Sequence, residues 1–138
     1  MHSQSKYNLF TLGKERQFFT PAKTQAINTF SVDGVKIAIL ICFELRFTVY
    51  WEAIRGVDIV LIPARWGKLR HEHFKTLTKA LAITNQCYVM ACDGANDDCT
   101  NYQAVLSPFG EQFLLEAVYD VKGIQKMRRY LDTGIPIG

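Results

Sequence analysis

Cys42 is the residue whose surroundings best suit a reaction. It ends an apolar stretch and is followed by Phe43-Glu44-Leu45-Arg46-Phe47, which lead into a helix-forming segment. A thiol at a tight strand-to-helix turn would lie near backbone N–H groups and the positive end of the helix, which lowers its pKa and supplies donors for a developing oxyanion. A lone cysteine closing an apolar strand is also, and more often, a small buried hydrophobe. Spacing alone leaves both readings open. The other thiols, Cys87, Cys92 and Cys99, form no C-x-x-C pair and no regular framework with it, so neither a zinc ribbon nor a disulfide scaffold is indicated.

Other polar clusters carry less. His71-Glu72-His73 lacks the H-E-x-x-H spacing of zinc hydrolases, and residues two apart on a helix point in different directions, so no metal site is expected. Asp93, Asp97 and Asp98 share a segment with Gly94 and Asn96, a composition that suits turns, and they have no EF-hand spacing. Phe47, Tyr50 and Trp51 read first as core fillers. Trp66, just past Ile62-Pro63-Ala64, is better placed as a pocket wall, because ligand crevices of α/β sheets open at the C-terminal ends of strands.

These residues must be positioned by strands and helices. Residues 35–42 are β-branched and nearly continuously apolar after the turn signal Asp33-Gly34, which predicts a central strand buried on both faces. Residues 48–55 read as a short helix stopped by Gly56, and residues 58–63 as a second buried strand. From 69 to 85 the apolar positions Phe74, Leu77, Ala80, Leu81 and Ile83 recur at near-helical spacing. Residues 86–92 make a third strand, 93–101 a loop, 102–106 and 111–115 a hairpin about Ser107-Pro108-Phe109-Gly110, and 124–131 a last helix. Such alternation argues for an α/β layered domain with helices covering one side of the sheet, and the other face also needs a cover. Residues 1–30 are the least self-sufficient.

With 138 residues, 49% hydrophobic and 21% charged, the chain can build one domain with one core, spanning 1–138. Its +3 charge, from 16 basic and 13 acidic residues, is spread along the chain, so no nucleic-acid partner is expected. The densest basic stretch, 122–129, reads as a solvated helix face. The first residues lack the apolar core of a signal peptide, and no run approaches the eighteen or so apolar residues of a membrane helix, so a cytoplasmic protein without a membrane partner is the default.

Ile41-Cys42-Phe43-Glu44-Leu45-Arg46-Phe47 is similar to the nucleophile segment of the carbon-nitrogen hydrolase (nitrilase and amidase) superfamily. The stretch 56–64 followed by Trp66, and the stretch 82–89, resemble the next strand with its active-site loop and the segment after the long helix, in the correct order. Upstream, Lys6-Tyr7-Asn8-Leu9-Phe10 resembles the family's lysine segment, and Glu15 with Phe19 and Pro21 resembles its second glutamate segment.

The resemblance implies a partial four-layer α-β-β-α sandwich that lacks the N-terminal part of the fold. It also implies hydrolysis of a non-peptide C–N bond in a small amide, carbamoyl compound or nitrile, with no metal or organic cofactor. Cys42 would be the nucleophile and Lys6 the oxyanion-stabilising cation. Glu15 would orient that lysine, while Phe43, Glu44, Arg46 and Trp66 would line or support the pocket, Glu44 as a surface partner or a wall. Arg46-Phe47-Thr48-Val49 leans toward the ω-amidase-like branch. The glutamate general base that the mechanism needs lies on an earlier segment of the family fold and has no counterpart here. The family's arginine and glutamate on the long helix are replaced by Leu81 and Thr84, as if a buried ion pair were lost together. A dimer is the expected assembly. The rival expectation is a truncated or degenerate, non-catalytic fragment that self-associates or needs a complementing N-terminal chain, because half a sandwich exposes apolar sheet.

Overall fold

A computed structural model describes residues 1–113 and 116–138. Six strands form one mixed sheet in sequence order: β1 (Phe30–Val32), β2 (Val35–Ile39), β3 (Ile59–Pro63), β4 (Tyr88–Cys92), β5 (Gln103–Leu106) and β6 (Gln112–Phe113). β2, β3 and β4 run parallel, and antiparallel pairs flank them on both sides. The β1–β2 hairpin turns through Asp33 (φ +50°) and Gly34 (φ +81°), which the two positive φ angles of a tight primed turn demand. The parallel strands are joined by α1 (Thr48–Ala53) and α2 (His71–Thr84), and α3 (Val121–Tyr130) closes the chain. The expected hairpin is present through Phe113, and its last positions, Leu114 and Leu115, lie outside the described residues.

Alternation along the strands separates the two faces of the sheet. Ala38, Val60, Ile62, Val89, Ala91, Ala104 and Leu106 are buried on one face, where Phe74, Leu81 and Ala82 of α2 pack. Their neighbours Ile37, Ile39, Leu61, Met90 and Val105 are only partly covered or exposed. The expectation of strands buried on both faces is therefore corrected. The residues are apolar on both faces, but among the described residues helices cover one face alone, giving the sheet and helix layers of the expected partial sandwich.

Within α2, Ile83 is 44% exposed instead of core-facing, while Thr78 is fully buried and donates its hydroxyl to the Phe74 carbonyl at 2.9 Å. Leu81 is fully buried and Thr84 exposed, so these two positions do not share one interior site. The basic stretch in α3 is not uniformly solvated either. Arg128 is 2% exposed and donates to the carbonyls of Val57 (2.8 Å), Gln86 (3.4 Å) and Pro136 (3.1 Å), tying α3 to the N-terminal ends of β3 and β4.

Candidate active site

β2 delivers the chain to a strained turn. Leu40 still donates to the Leu61 carbonyl as in a ladder, Ile41 is extended, and Cys42 then adopts φ +52° at the start of a 3₁₀ turn, Cys42–Arg46. A left-handed conformation at a non-glycine residue is costly and persists where surrounding contacts hold it. Glu44 supplies those contacts. It is fully buried, and its Oε2 accepts the Ile41 N–H at 2.9 Å while its Oε1 accepts the Tyr7 N–H at 2.8 Å. Glu44 is thus neither a surface partner nor a wall of the cavity. It fastens the N-terminal segment to the turn that carries Cys42.

That segment has little regular structure, only the 3₁₀ turns Thr11–Gly13 and Glu15–Gln17, yet it brings Lys6 to the cavity. Lys6 Nζ donates to both oxygens of Glu15, at 2.9 and 2.7 Å, and Glu15 Oε2 also accepts the Phe10 N–H at 2.8 Å. Lys6, Glu15, Cys42 and Trp66 line one open cavity of about 980 Å³. The four residues singled out from separate parts of the sequence share one hollow at the C-terminal ends of β2 and β3, as expected for a parallel sheet.

Cys42 is 9% exposed, and its thiol lies 3.5 Å from the Arg65 carbonyl. Burial raises its pKa above the ordinary thiol value. Backbone hydrogen bonding at Arg65 and then the Lys6 ammonium pull it back, the Glu15 carboxylate pushes it up, and a backbone hydrogen bond at Phe43 lowers it. The expected net lowering is not found. Cys42 opens a single 3₁₀ turn and not an α-helix, so little helix field opposes its desolvation.

Phe43 packs between the rings of Phe10 and Phe47, with centroids 5.1 and 5.2 Å away. Arg46 lies over the Trp66 ring at 5.0 Å and donates through Nη2 to His73 Nδ1 at 2.8 Å. Trp66 is 4% exposed, stacked on Phe74, so it contributes only an edge to the cavity. Phe43, Arg46, Cys42 and Trp66 also border a narrow side recess of about 20 Å³.

Further lining comes from the loop after β3, which the resemblance gives as an active-site loop, and from the loop after β4, which the sequence reads only as a turn-rich segment. Asp93 is buried and accepts the N–H of Trp66 at 2.6 Å and of Thr100 at 2.7 Å. It joins the loop after β3 to the loop after β4, and Gly67 and Cys99 form a bridge between them. Arg65, Arg70, Asp98 and Cys99 reach the cavity from this pair. Arg65 and Arg70 have proximity to Trp66 as their sequence signal, whereas Asp98 and Cys99 read only as a turn aspartate and an unpaired thiol. Asp93 does more than form a turn. His71 and His73 find different neighbours, Tyr102 and Arg46, and among the described residues no group of side chains could hold a metal.

The family model for carbon-nitrogen hydrolase matches residues 1–116. This chain belongs to that family. Carbon-nitrogen hydrolase relatives include the 2-oxoglutaramate amidase of Bacillus subtilis (strain 168), 33% identical over 111 residues that cover 76% of this chain and 42% of the relative. The omega-amidase YafV of Escherichia coli (strain K12) is 30% identical over 116 residues, covering 80% and 44%. Among solved structures, the superfamily protein XC1258 from Xanthomonas campestris, which carries an arsenic adduct in its active site, superposes with a TM-score of 0.76 at 22% identity, over 92% of this chain and 55% of that one. The fold is therefore that of the carbon-nitrogen hydrolases, and the chain spans about half the length of the relatives it matches. No helix among the described residues is long and apolar enough to cross a membrane.

Proposed function

We propose that this chain carries the nucleophile side of an amidase active site and hydrolyses a small amide of the kind named for its ω-amidase and 2-oxoglutaramate amidase relatives. The observation that carries the reading is the meeting of Cys42, in its strained turn, with the Lys6–Glu15 pair in one cavity. Cys42 Sγ attacks the amide carbon. The Lys6 ammonium and the Phe43 N–H stabilise the oxyanion, and such preformed donors are the largest single contribution in many acyl transfers. Ammonia leaves as the thioester forms, and water then cleaves the thioester to release the acid.

The thiol is raised by burial, so a base must take its proton. The carboxylates that line the cavity, Glu15 and Asp98, are each committed, to Lys6 and to Arg65 at 2.9 Å. We assign the base to a further segment that completes the sandwich over the open sheet face, so that residues 1–138 act as one partial domain.

Ammonia release from glutaramate and butyramide, measured with and without Cys42→Ala, tests this. Activity that survives the substitution would sink the assignment of the nucleophile.

A second reading rests on the half-exposed sheet face. There Ile39, Leu61, Met90, Cys92 and Val105 frame a shallow hollow of about 350 Å³. In that reading the chain is non-catalytic and acts by association, with a second copy or with a complementing chain. Silence toward every amide even with the segment that completes the sandwich supplied, together with concentration-dependent assembly, would favour it.

A further inference from the structure

The cavity lining carries Lys6, Arg65 and Arg70 against Glu15 and Asp98, one positive charge in excess. The excess can be traced to one side chain. Lys6 is held by both oxygens of Glu15, and Arg65 pairs with Asp98 and leaves 71% of its side chain in solvent. Arg46, at the side recess, is occupied by His73 and the Trp66 ring. Arg70 has no carboxylate partner among the described residues.

Arg70 is nevertheless well placed. Its main chain is pinned, with Trp66 Nε1 donating to its carbonyl at 2.9 Å and its own N–H donating to the Gly67 carbonyl at 2.9 Å. Its guanidinium lies over the Phe10 ring with Cζ 5.1 Å from the centroid. It also sits so close to Gly67 that a Cβ there would approach Arg70 Nη2 to 2.7 Å, so glycine at 67 makes room for it. Stacking engages the face of a guanidinium and leaves its edge N–H groups to donate, and that planar fork matches a carboxylate bidentately. Arg70 borders both the large cavity and the side recess, and Cys42 borders both as well.

We infer that Arg70 is a specificity-determining residue of this site, the one that receives the distal carboxylate of the monoamide substrates to which the amidase reading already points. The amide end would then lie toward Cys42 and Lys6 and the carboxylate end toward Arg70. This inference rests on the amidase reading for the identity of the reacting end, but the carboxylate site can be tested without turnover.

The test is protection of Cys42 from iodoacetamide in the full chain, followed by peptide mass spectrometry, with glutarate and butyramide as the probes. Glutarate is expected to protect the wild type. In Arg70→Gln its half-protection concentration should rise about tenfold more than that of butyramide, the effect of losing one charge-assisted pair. Arg70→Lys, which keeps the charge and loses the fork, should fall between and serves if Arg70→Gln does not fold. Glutarate that fails to protect the wild type, or protects the variants equally well, overturns the inference.

Turnover of glutaramate and butyramide in parallel separates the two proposals. Hydrolysis of both with no selective loss in the variants leaves the amidase reading standing and removes the role of Arg70. Protection that depends on Arg70 without hydrolysis of either amide, even with the segment that completes the sandwich supplied, does the reverse.

Discussion

Glu44 accepts the Tyr7 N–H across 37 positions of sequence, and the same buried carboxylate accepts the Ile41 N–H one residue before Cys42. One side chain therefore sets both the strained turn and the position of the segment that carries Lys6. Glu15 adds a second fastening to the same segment through Lys6 Nζ and the Phe10 N–H. The candidate site depends on two carboxylates that bind backbone as much as they bind charge.

Glu44→Gln should destabilise the chain by about 2–4 kcal/mol, because an amide nitrogen replaces one of two acceptors facing buried N–H donors. Urea unfolding measures the loss. Released from its clamp, the Tyr7 segment should also be cut faster by protease in the variant, and an unchanged cleavage rate at residues 1–20 would refute the clamp.

The left-handed φ of Cys42 gives a prediction of opposite sign. Cys42→Gly should be more stable than Cys42→Ala by about 1 kcal/mol, since glycine adopts φ +52° without a Cβ penalty. The comparison of the two variants removes the thiol from both sides, so the difference in urea midpoint reports the backbone alone. Equal midpoints would mean that the turn carries no strain.

The thiols should separate by pH. Cys92 is exposed and should react first with iodoacetamide, while Cys87, fully buried, has its thiol pushed up to about 12 and should stay silent in the folded chain. Cys42 should lie between, with an alkylation midpoint above the ordinary thiol value. Lys6→Met should raise that midpoint further and slow labelling near neutral pH, because the ammonium favours the thiolate. The thiols of Cys42 and Cys87 have raised folded-state pKa values. Their stabilising effect is whole below the ordinary thiol pKa near 9.0 and is lost as pH rises toward the folded values, so unfolding free energy should fall above pH 9.

Much of the fold was legible because apolar runs and turn signals record local structure. The segments containing β2, α1, β3, α2, β4 and α3 could be placed to within a few residues, and Asp33-Gly34 marked the turn before β2, though not the strand β1 that precedes it. What escaped was tertiary. Apolar residues on both faces of β2 to β4 were read as buried on both, although the pattern records only that both faces avoid water. Arg128 sat inside a basic stretch that read as solvated, and nothing local says that Val57 and Gln86 turn their carbonyls toward it. At the site, Cys42, Lys6 and Glu15 came from the resemblance, and the three line one cavity. The roles of Glu44, Asp93 and Arg70 depend on partners distant in sequence or brought close by a loop, which spacing does not encode.

Arg128→Met should cost about 3–5 kcal/mol, because three carbonyls lose a charged donor and Asp58, 3.6 Å from Arg128 Nη1, loses its cation. The damage should be local to α3 and the N-terminal ends of β3 and β4. Hydrogen exchange should therefore show loss of protection at Val57 and along α3 before β5. Uniform loss over the whole sheet would mean that Arg128 stabilises the core generally and does not anchor one helix.

The open sheet face makes a prediction about assembly. Met90 is 43% exposed and sits among Ile39, Leu61 and Val105 on a face that is apolar and has no helical cover. Contiguous apolar surface of this kind marks a contact site. Met90→Glu should change the stability of the isolated chain by no more than about 0.5–1 kcal/mol, because the side chain is already partly in water. A charge at the centre of a buried contact carries a heavy desolvation cost, so the same substitution should weaken association at least about tenfold. Sedimentation velocity over a range of concentrations reads the two effects apart, since a folded, monomeric variant beside an associating wild type locates the contact on this face. Identical sedimentation of the two proteins would exclude the face as the contact and leave the second reading of the function without its physical basis.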